Sequence, residues 1–265
     1  MGIKPSENEK NVYIYYNILL NSDGYFVEET KDEFISEIRS NFYKRIKTRK
    51  KPKSSDLDVF KMIYNAKEYL PAINAYKENF AIKDDYTLNI IDAGSNIGLT
   101  SLYFLDHFKK ANIVCIEPEE ENFKILEYNL SNTNNNTLYK INGAIWNSNT
   151  NIKIVNDFKD QLDWAFRVEE TEDLDGIKAF SINSLIKDYN FEFIDILKID
   201  IEGSEKVIFD PKVSDLSFLK ITRCIVMEIH DFFDCRTDIY KILDEYGFSY
   251  FNQGELTIGV NKNLK

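Results

Sequence analysis

The chain has 265 residues, of which 43% are hydrophobic and 14% aromatic, so it can build a sizeable core and is neither disordered nor fibrous. Its net charge of −11 at pH 7 makes it a poor general binder of nucleic acids and other polyanions. Three scattered cysteines and a polar N-terminus without a signal-peptide hydrophobic stretch predict a cytoplasmic protein with no membrane insertion.

Residues 1–86 are predicted to form a helical N-terminal extension. Apolar residues recur about three or four positions apart over residues 31–47, which predicts an amphipathic helix, and a second helix is predicted over residues 55–69. Between them, residues 44–53 hold seven Lys or Arg and no acid. This basic stretch could bind a phosphorylated or nucleotide-linked acceptor or contact RNA, but a solvated helix face or loop is the favoured interpretation.

Residues 87–265 are predicted to form an α/β domain, because short apolar strands alternate with amphipathic helices. The predicted strands cover residues 88–93, 112–116, part of 138–146, 152–155, 178–182, 194–201 and 221–229. The predicted helices cover residues 97–108, 119–130, 183–189 and 238–246. A hairpin formed by residues 248–251 and 256–260 predicts one antiparallel strand at the end of an otherwise parallel sheet.

The first candidate site is the turn from the first of these strands into its helix, which holds Asp92, Gly94, Ser95, Asn96 and Gly98. Gly94 permits a tight turn and close approach of a ligand, and Gly98 allows the helix to pack closely. The free N–H groups at the start of the helix can bind a carboxylate or a phosphate. Asp92 could accept a hydrogen bond from an ammonium group. The glycine spacing is not the G-x-G-x-x-G of dinucleotide-binding turns, which disfavours an NAD-dependent dehydrogenase.

The second candidate site is Glu117-Pro118, where the next predicted strand ends. An acid about 20 residues beyond a glycine turn can accept both hydroxyls of a ribose. Pro118 stops the strand and begins a helix. The glycine turn and Glu117 together suit a ligand with a ribose, a positive group and a carboxylate, and S-adenosylmethionine fits that description better than NAD.

Five motifs in chain order resemble those of FkbM-type methyltransferases, over about residues 87–260: IIDAGSNIG, IEPEEENFKILEYNL, NGAIW, LKIDIEGSE and MEIH. The resemblance implies a Rossmann-like class I methyltransferase with a mostly parallel seven-stranded sheet. It also implies transfer of a methyl group from S-adenosylmethionine, usually to a hydroxyl on a sugar or natural product. By the same resemblance, the methionine end would meet Asp92, Gly94, Asn96 and Gly98, the ribose would meet Glu117, and the adenine would lie near Asn142 and Ala144. The first 86 residues match no motif of the family.

The third candidate site is the run Lys198, Asp200 and Glu202, whose side chains share one face at the end of a buried strand. Charges at such a position are costly unless they are paired or face a site. Asp200 or Glu202 could accept a proton from a hydroxyl or hold the acceptor in line with the methyl donor. Lys198 could pair with an acid or bind an anionic acceptor. A structural cluster of ion pairs is the alternative interpretation.

The fourth candidate site is Glu228 and His230, at the end of the following strand. His230 is a candidate general base because an imidazole titrates near neutral pH. Together with Asp200 and Glu202, these two side chains could also bind a divalent cation. No standard metal-ligand spacing is present, so a metal is the less favoured alternative and no metal ligand is assigned.

The sequence therefore predicts an S-adenosylmethionine-dependent O-methyltransferase that acts on a hydroxyl of a saccharide or sugar-linked metabolite. The alternatives are an RNA methyltransferase, a small-metabolite methyltransferase and a non-catalytic S-adenosylmethionine-binding module. Acceptor specificity is expected in the N-terminal helices and in the insertion at residues 157–176. No feature of the sequence indicates an oligomeric state.

Overall fold

The computed structural model describes residues 7–39, 43–51, 54–83, 85–131, 133, 136–155, 167–173, 175–201 and 203–264. The N-terminal segment contains helix α1 (Glu7–Asn21), strands β1 (Gly24–Glu29), β2 (Glu33–Arg39) and β3 (Tyr43–Arg49), helix α2 (Asp56–Phe60) with a π-helical continuation over Lys61–Asn65, and helix α3 (Leu70–Asn79). The three strands form an antiparallel sheet in the order β1-β2-β3.

The predicted helix over residues 31–47 is wrong, because these residues form β2 and β3, with Glu33 opposite Arg49. The apolar pair Phe34 and Ile38 is buried. A spacing of four positions puts two residues on one face of a helix and also on one face of a strand, so this pair fits both. The predicted helix over residues 55–69 is confirmed for α2 and its π-helical continuation, whereas α1 and α3 were not predicted.

The remaining elements follow the predicted alternation of strands and helices. In chain order they are β4 (Leu88–Ala93), α4 (Leu99–His107), β5 (Ala111–Glu117), α5 (Glu120–Asn129), β6 (Thr137–Asn142), β7 (Ala144–Ile145), β8 (Thr150–Val155), β9 (Arg167–Thr171), β10 (Ile177–Phe180), α6 (Ile182–Asp188), β11 (Ile194–Ile199), α7 (Glu205–Ile208), β12 (Thr222–Glu228), α8 (Arg236–Glu245), β13 (Phe248–Gln253) and β14 (Leu256–Asn261).

The main sheet has seven strands in the order β13-β14-β12-β11-β4-β5-β6. Strands β12, β11, β4, β5 and β6 run parallel to one another, and β14 is antiparallel to β12. This confirms the predicted Rossmann-like sheet with its antiparallel terminal hairpin strand. A smaller sheet in the order β7-β10-β8-β9 follows β6. Because the parallel strands share one direction, their carboxyl ends meet at one edge, where ligands of open α/β sheets bind.

The two faces of the main sheet belong to two apolar clusters. One cluster joins N-terminal residues such as Phe34 and Tyr76 to sheet and helix residues such as Ile90 and Phe104. The other cluster packs α6 and α8 against the opposite face. The N-terminal segment therefore shares its core with the sheet, and a domain boundary at residue 86 stays a prediction. All three cysteines are free and buried. Within the described ranges, every helix is too short or too polar to span a bilayer.

A buried carboxylate ties the N-terminal segment to the amino ends of the strands. Asp195 is fully buried and accepts hydrogen bonds from the Tyr76 hydroxyl (2.6 Å), the Asn89 N–H (2.7 Å) and the Arg223 guanidinium (2.7 Å). These donors come from α3, β4 and β12. Each paired donor offsets the cost of burying this charge, so we assign Asp195 a structural role.

The basic stretch at residues 44–53 is largely neutralised within the molecule. Much of it lies in β3, where bases meet acids of neighbouring elements. The ion pairs are Lys44–Asp106, Arg45–Glu37, Lys47–Glu33, Arg49–Asp56, Lys50–Glu29 and Lys51–Asp58. The favoured interpretation as a solvated helix face or loop is wrong for β3. Paired bases offer little net positive charge to a polyanion.

We expect Lys44→Met to lower the free energy of unfolding by about 3 kcal/mol, because it removes the cation that compensates a largely buried acid. Lys44 is 2% exposed, donates to the Leu102 carbonyl at 2.8 Å and pairs with Asp106. Burial lowers the pKa of Lys44 to about 8. The double variant Lys44→Met/Asp106→Leu should recover most of the loss. Urea unfolding measures both effects, with the exposed Lys51→Met as the control, and equal losses in Lys44→Met and Lys51→Met would contradict the prediction.

Candidate active site

The turn after β4 requires glycine at two positions. Gly94 has φ +75°, and a Cβ there would lie 1.7 Å from the Asp200 carbonyl oxygen at the end of β11. Gly98 has φ +81°, and a Cβ there would lie 3.1 Å from the Leu130 side chain. Gly94 therefore allows two strand ends to approach each other, while Gly98 allows α4 to begin against α5. The positive φ at Gly94 fits the predicted tight turn and the packing at Gly98 fits the predicted close approach of the helix, while approach of a ligand to Gly94 stays a prediction.

The Glu117 carboxylate is buried and held in place at the end of β5. Its Oε2 accepts a hydrogen bond from the Asn96 N–H (2.8 Å), and its Oε1 accepts from the Glu119 N–H (3.0 Å) and Asn122 Nδ2 (3.2 Å). Burial raises the pKa of Glu117, and the hydrogen bonds from Asn122, Glu119 and Asn96 oppose that rise. Since a carboxylate oxygen can accept more than one hydrogen bond, Glu117 keeps capacity for a ligand hydroxyl.

A cavity of about 190 Å³ lies between the glycine turn and the end of β5, and we call it the cofactor cavity. Its lining includes five of the predicted cofactor residues, Gly94, Asn96, Glu117, Pro118 and Ala144. The lining also includes residues that the sequence analysis did not assign to the cofactor: Asn122, Gly143, Ile145, Asp200, Ile201 and Ser204. Asn122 could have been suspected, because it lies in the first turn of the helix that follows Glu117.

The other predicted cofactor residues are not among those that line the cofactor cavity. Asp92 is fully buried and accepts a hydrogen bond from the Ser101 hydroxyl at 2.6 Å. The Ser95 hydroxyl donates to the Asp92 carbonyl at 2.6 Å, and Asn142 Nδ2 donates to the Glu117 carbonyl at 2.9 Å. Gly98 contacts α5. These four residues therefore support the turn and the strand ends.

Lys198 is a buried cation that joins the ends of β4 and β11. Its Nζ lies 3.4 Å from Asp92 Oδ1 and 3.5 Å from Asp200 Oδ2, and it donates a hydrogen bond to the Gly94 carbonyl. Burial lowers the pKa of Lys198, but the neighbouring charges of Asp200 and Asp92 outweigh that effect, so the net shift is upward. Lys198 is therefore charged, but Asp92 and Asp200 balance its charge, so it offers little net attraction to an anionic acceptor. Glu202, the third member of this predicted run, lies outside the described residues.

His230 is held by an acid that sequence reasoning missed. Its Nδ1 lies 2.9 Å from Glu205 Oε1, and its Nε2 lies 3.7 Å from Glu228 Oε1. Glu205 is fully buried at the start of α7, and it is the last residue of the LKIDIEGSE motif. A hydrogen bond from Nδ1–H to Glu205 leaves the lone pair on Nε2. The motif position was the available signal for Glu205.

Three side chains converge at the ends of β11 and β12. One oxygen or nitrogen atom from each of Asp200, Glu228 and His230 lies within 4.8 Å of the other two. Such a set could hold a proton, a hydroxyl or a divalent cation. The cation alternative therefore has a geometric basis within the part of the chain that the structure describes.

Comparison with known proteins gives concordant matches. A family profile described as the methyltransferase FkbM domain matches residues 92–250. Methyltransferase sdnD of Sordaria araneosa is 26% identical over 192 residues, which cover 60% of this chain and 73% of that protein.

Two solved structures of low sequence identity also match. The FkbM methyltransferase of Methylobacillus flagellatus has 14% identity and a TM-score of 0.40, over 74% of this chain and 60% of that one. An rRNA methylase of Streptococcus thermophilus has 14% identity and a TM-score of 0.40, over 72% of this chain and 94% of that one. The chain thus spans 60% of the solved FkbM methyltransferase.

Proposed function

Because this chain belongs to the FkbM methyltransferase family, we propose that it transfers a methyl group from S-adenosylmethionine to a hydroxyl of a saccharide or sugar-linked metabolite. The observation that carries the cofactor assignment is the Glu117 carboxylate, held by three donors at the wall of the cofactor cavity. The hydroxyl acceptor is supported by the family resemblance and by the candidate proton acceptors beside Asp200.

The residues of the cofactor cavity fit S-adenosylmethionine. Glu117 would accept the ribose hydroxyls, and Gly94, which lines the cavity and has no side chain, would give the methionine end close access to the backbone. Asn122, Gly143 and Ala144 would border the adenine. When bound, this cofactor supplies an electrophilic methyl group to a nucleophile in line with its sulfonium.

A hydroxyl is a poor nucleophile and needs a base. His230 Nε2 would take the proton, since Glu205 accepts from Nδ1 and fixes the tautomer. Asp200, which lines the cofactor cavity and pairs with Lys198, would hold the acceptor hydroxyl near the base. Glu202 stays a candidate proton acceptor on the basis of the sequence alone.

The alternatives have less support. Transfer to RNA would need an accessible basic surface, whereas the bases of β3 are paired with acids. A non-catalytic binding module would not need Asp200, Glu228 and His230 to converge beside the cofactor cavity.

The direct test combines calorimetry with S-adenosylmethionine and a screen with its methyl-labelled form over nucleotide sugars, glycans, small metabolites and RNA. We expect binding and label transfer to a saccharide acceptor. Absence of S-adenosylmethionine binding would contradict the proposal. Transfer of the label to RNA alone would identify an RNA methyltransferase instead. Each reaction is run with and without a chelator, because loss of transfer in the chelator would support the divalent-cation alternative.

We expect Glu117→Gln to weaken S-adenosylmethionine binding about tenfold to a hundredfold, because a hydrogen bond to a charged group contributes about 1.5–3 kcal/mol. The amide would also present its NH2 group to the backbone donors that now approach Glu117. Calorimetry measures the change. The matched control is Glu120→Gln, which changes an exposed acid of α5. Equal S-adenosylmethionine affinities of the two variants would contradict a contact between Glu117 and the ribose.

A further inference from the structure

A second cavity, of about 70 Å³, shares Gly94, Asn96 and Asp200 with the cofactor cavity. We call it the acceptor pocket. The N-terminal segment supplies one wall, and the ends of β11 and β12 supply part of the other. Its lining includes Met62, Ile63, Glu68, Lys198, Asp200 and Glu228.

The position of this pocket suits the group that receives the methyl. Methyl transfer needs the acceptor atom in line with the donor, so an acceptor must border the cofactor. Asp200 lines both cavities, and an atom of His230 lies within 4.8 Å of the Asp200 carboxylate. Met62 and Ile63, on the opposite wall, give the pocket an apolar surface that suits the C–H groups beside a hydroxyl.

The charges that line this pocket are mostly negative. Glu68, Asp200 and Glu228 contribute carboxyl groups, and Lys198 is the one cation among the described lining residues. Lys198 already contacts Asp92, Asp200 and the Gly94 carbonyl. Burial raises the pKa of Glu68, and the negative charge of Asp200 adds to that rise. A further anion in the pocket would therefore lack a free cation and would face repulsion from like charges.

We propose that the acceptor pocket binds a compact hydroxyl-bearing group that is uncharged or carries a protonated amine, that it excludes phosphorylated and carboxylated groups, and that Glu68 determines this selectivity. The inference rests on the proposed function, since it names the acceptor class of that site. It places specificity in the segment that contains α2 and Glu68, outside the five family motifs.

Met62 offers a reporter for occupancy of the pocket. The chain has three methionines, of which Met62 lines the pocket and is 40% exposed, whereas Met227 is fully buried in the core. We would label the methionine methyl groups with ¹³C and saturate the protein with S-adenosylhomocysteine. Three small alcohols that differ mainly in charge are then titrated: ethanolamine, ethylene glycol and glycolate. Met227 serves as the internal reference.

We expect ethanolamine to shift the Met62 signal at a concentration at least tenfold lower than glycolate does, with ethylene glycol between them. Glu68→Lys should reverse the order of ethanolamine and glycolate, and Glu68→Gln should reduce the difference between them. Glu78→Lys, an exposed site on α3, makes the same charge change away from the pocket and should leave the order unchanged.

Either of two results would overturn the inference: glycolate shifting Met62 as readily as ethanolamine, or no probe shifting Met62 at all. Calorimetry on the same samples separates this inference from the proposed function. If the wild-type protein does not bind S-adenosylhomocysteine, the proposed function fails. If binding is intact but the order of the probes is wrong, only the acceptor class fails.

Discussion

Gly94→Ala is expected to lower S-adenosylmethionine affinity at least a hundredfold and to destabilise the protein by about 3 kcal/mol or more. The left-handed backbone at this position, φ +75°, strains any residue with a Cβ. The new Cβ would also lie 1.7 Å from the Asp200 carbonyl oxygen and 2.8 Å from its carbonyl carbon. Both neighbours are backbone atoms, so no side-chain rotation can relieve the collision. The turn or the end of β11 must move, and both border the cofactor cavity.

Gly254→Ala is the matched control for this substitution. Gly254, in the turn between β13 and β14, also has positive φ (+61°), but a Cβ there would have no atom within 4 Å. This variant should lose only about 1 kcal/mol from backbone strain and keep its cofactor affinity. Calorimetry and urea unfolding of both variants separate the effect of the steric collision from the effect of backbone strain. Similar losses of affinity and of unfolding free energy in the two variants would show that the collision with the Asp200 carbonyl has no effect.

His230→Asn is expected to lower kcat by about 10²–10⁴, the usual contribution of a positioned base, with S-adenosylmethionine affinity unchanged. We propose the imidazole as the base because Glu205 Oε1 lies 2.9 Å from Nδ1, Glu228 Oε1 lies 3.7 Å from Nε2, and a ring nitrogen lies within 4.8 Å of the Asp200 carboxylate. Glu205→Gln should give a smaller loss of kcat, since the amide can still contact Nδ1 but favours the imidazolium less.

The other histidine of the chain provides the control. His107 ends α4 and packs against the Tyr103 ring at 4.7 Å, outside the lining of either cavity. His107→Asn should leave kcat within about twofold of the wild-type value, well below the effect of a lost base. If His230→Asn behaves like His107→Asn, the base is Asp200 or Glu202, and Asp200→Asn becomes the variant with the large loss.

Local pattern was enough to predict the main sheet. Strands buried on both faces read as continuous apolar runs, so β4, β5, β11 and β12 stood out without tertiary information. The same reasoning failed over residues 31–47. There the spacing of Phe34 and Ile38 suits a strand face as well as a helix face, and only pairing with β3 distinguishes the two.

The glycine turn and Glu117 could also be predicted from the sequence, because their geometry depends on residues close in the chain and on the known direction of parallel strands. The bond from the Asn96 N–H to Glu117 spans 21 positions, which contain only α4 and β5. The structure brings the described candidate residues at the strand ends close together, but the sequence did not predict the partners of each one.

Only the tertiary structure decided which charged group meets which. Lys198 contacts Asp92 from a neighbouring strand, Glu205 holds His230 across 25 positions, and Lys44 bonds to the Leu102 carbonyl across 58. Coulomb attraction and hydrogen bonding depend on distance in space, and composition records only that the charges exist. The sequence by itself determined the sheet, the glycine turn and the acids at the strand ends. The tertiary structure decided that the basic stretch is largely paired with acids and that Lys198 is paired with Asp92 and Asp200. The reason is that partners distant in the chain become neighbours only on folding.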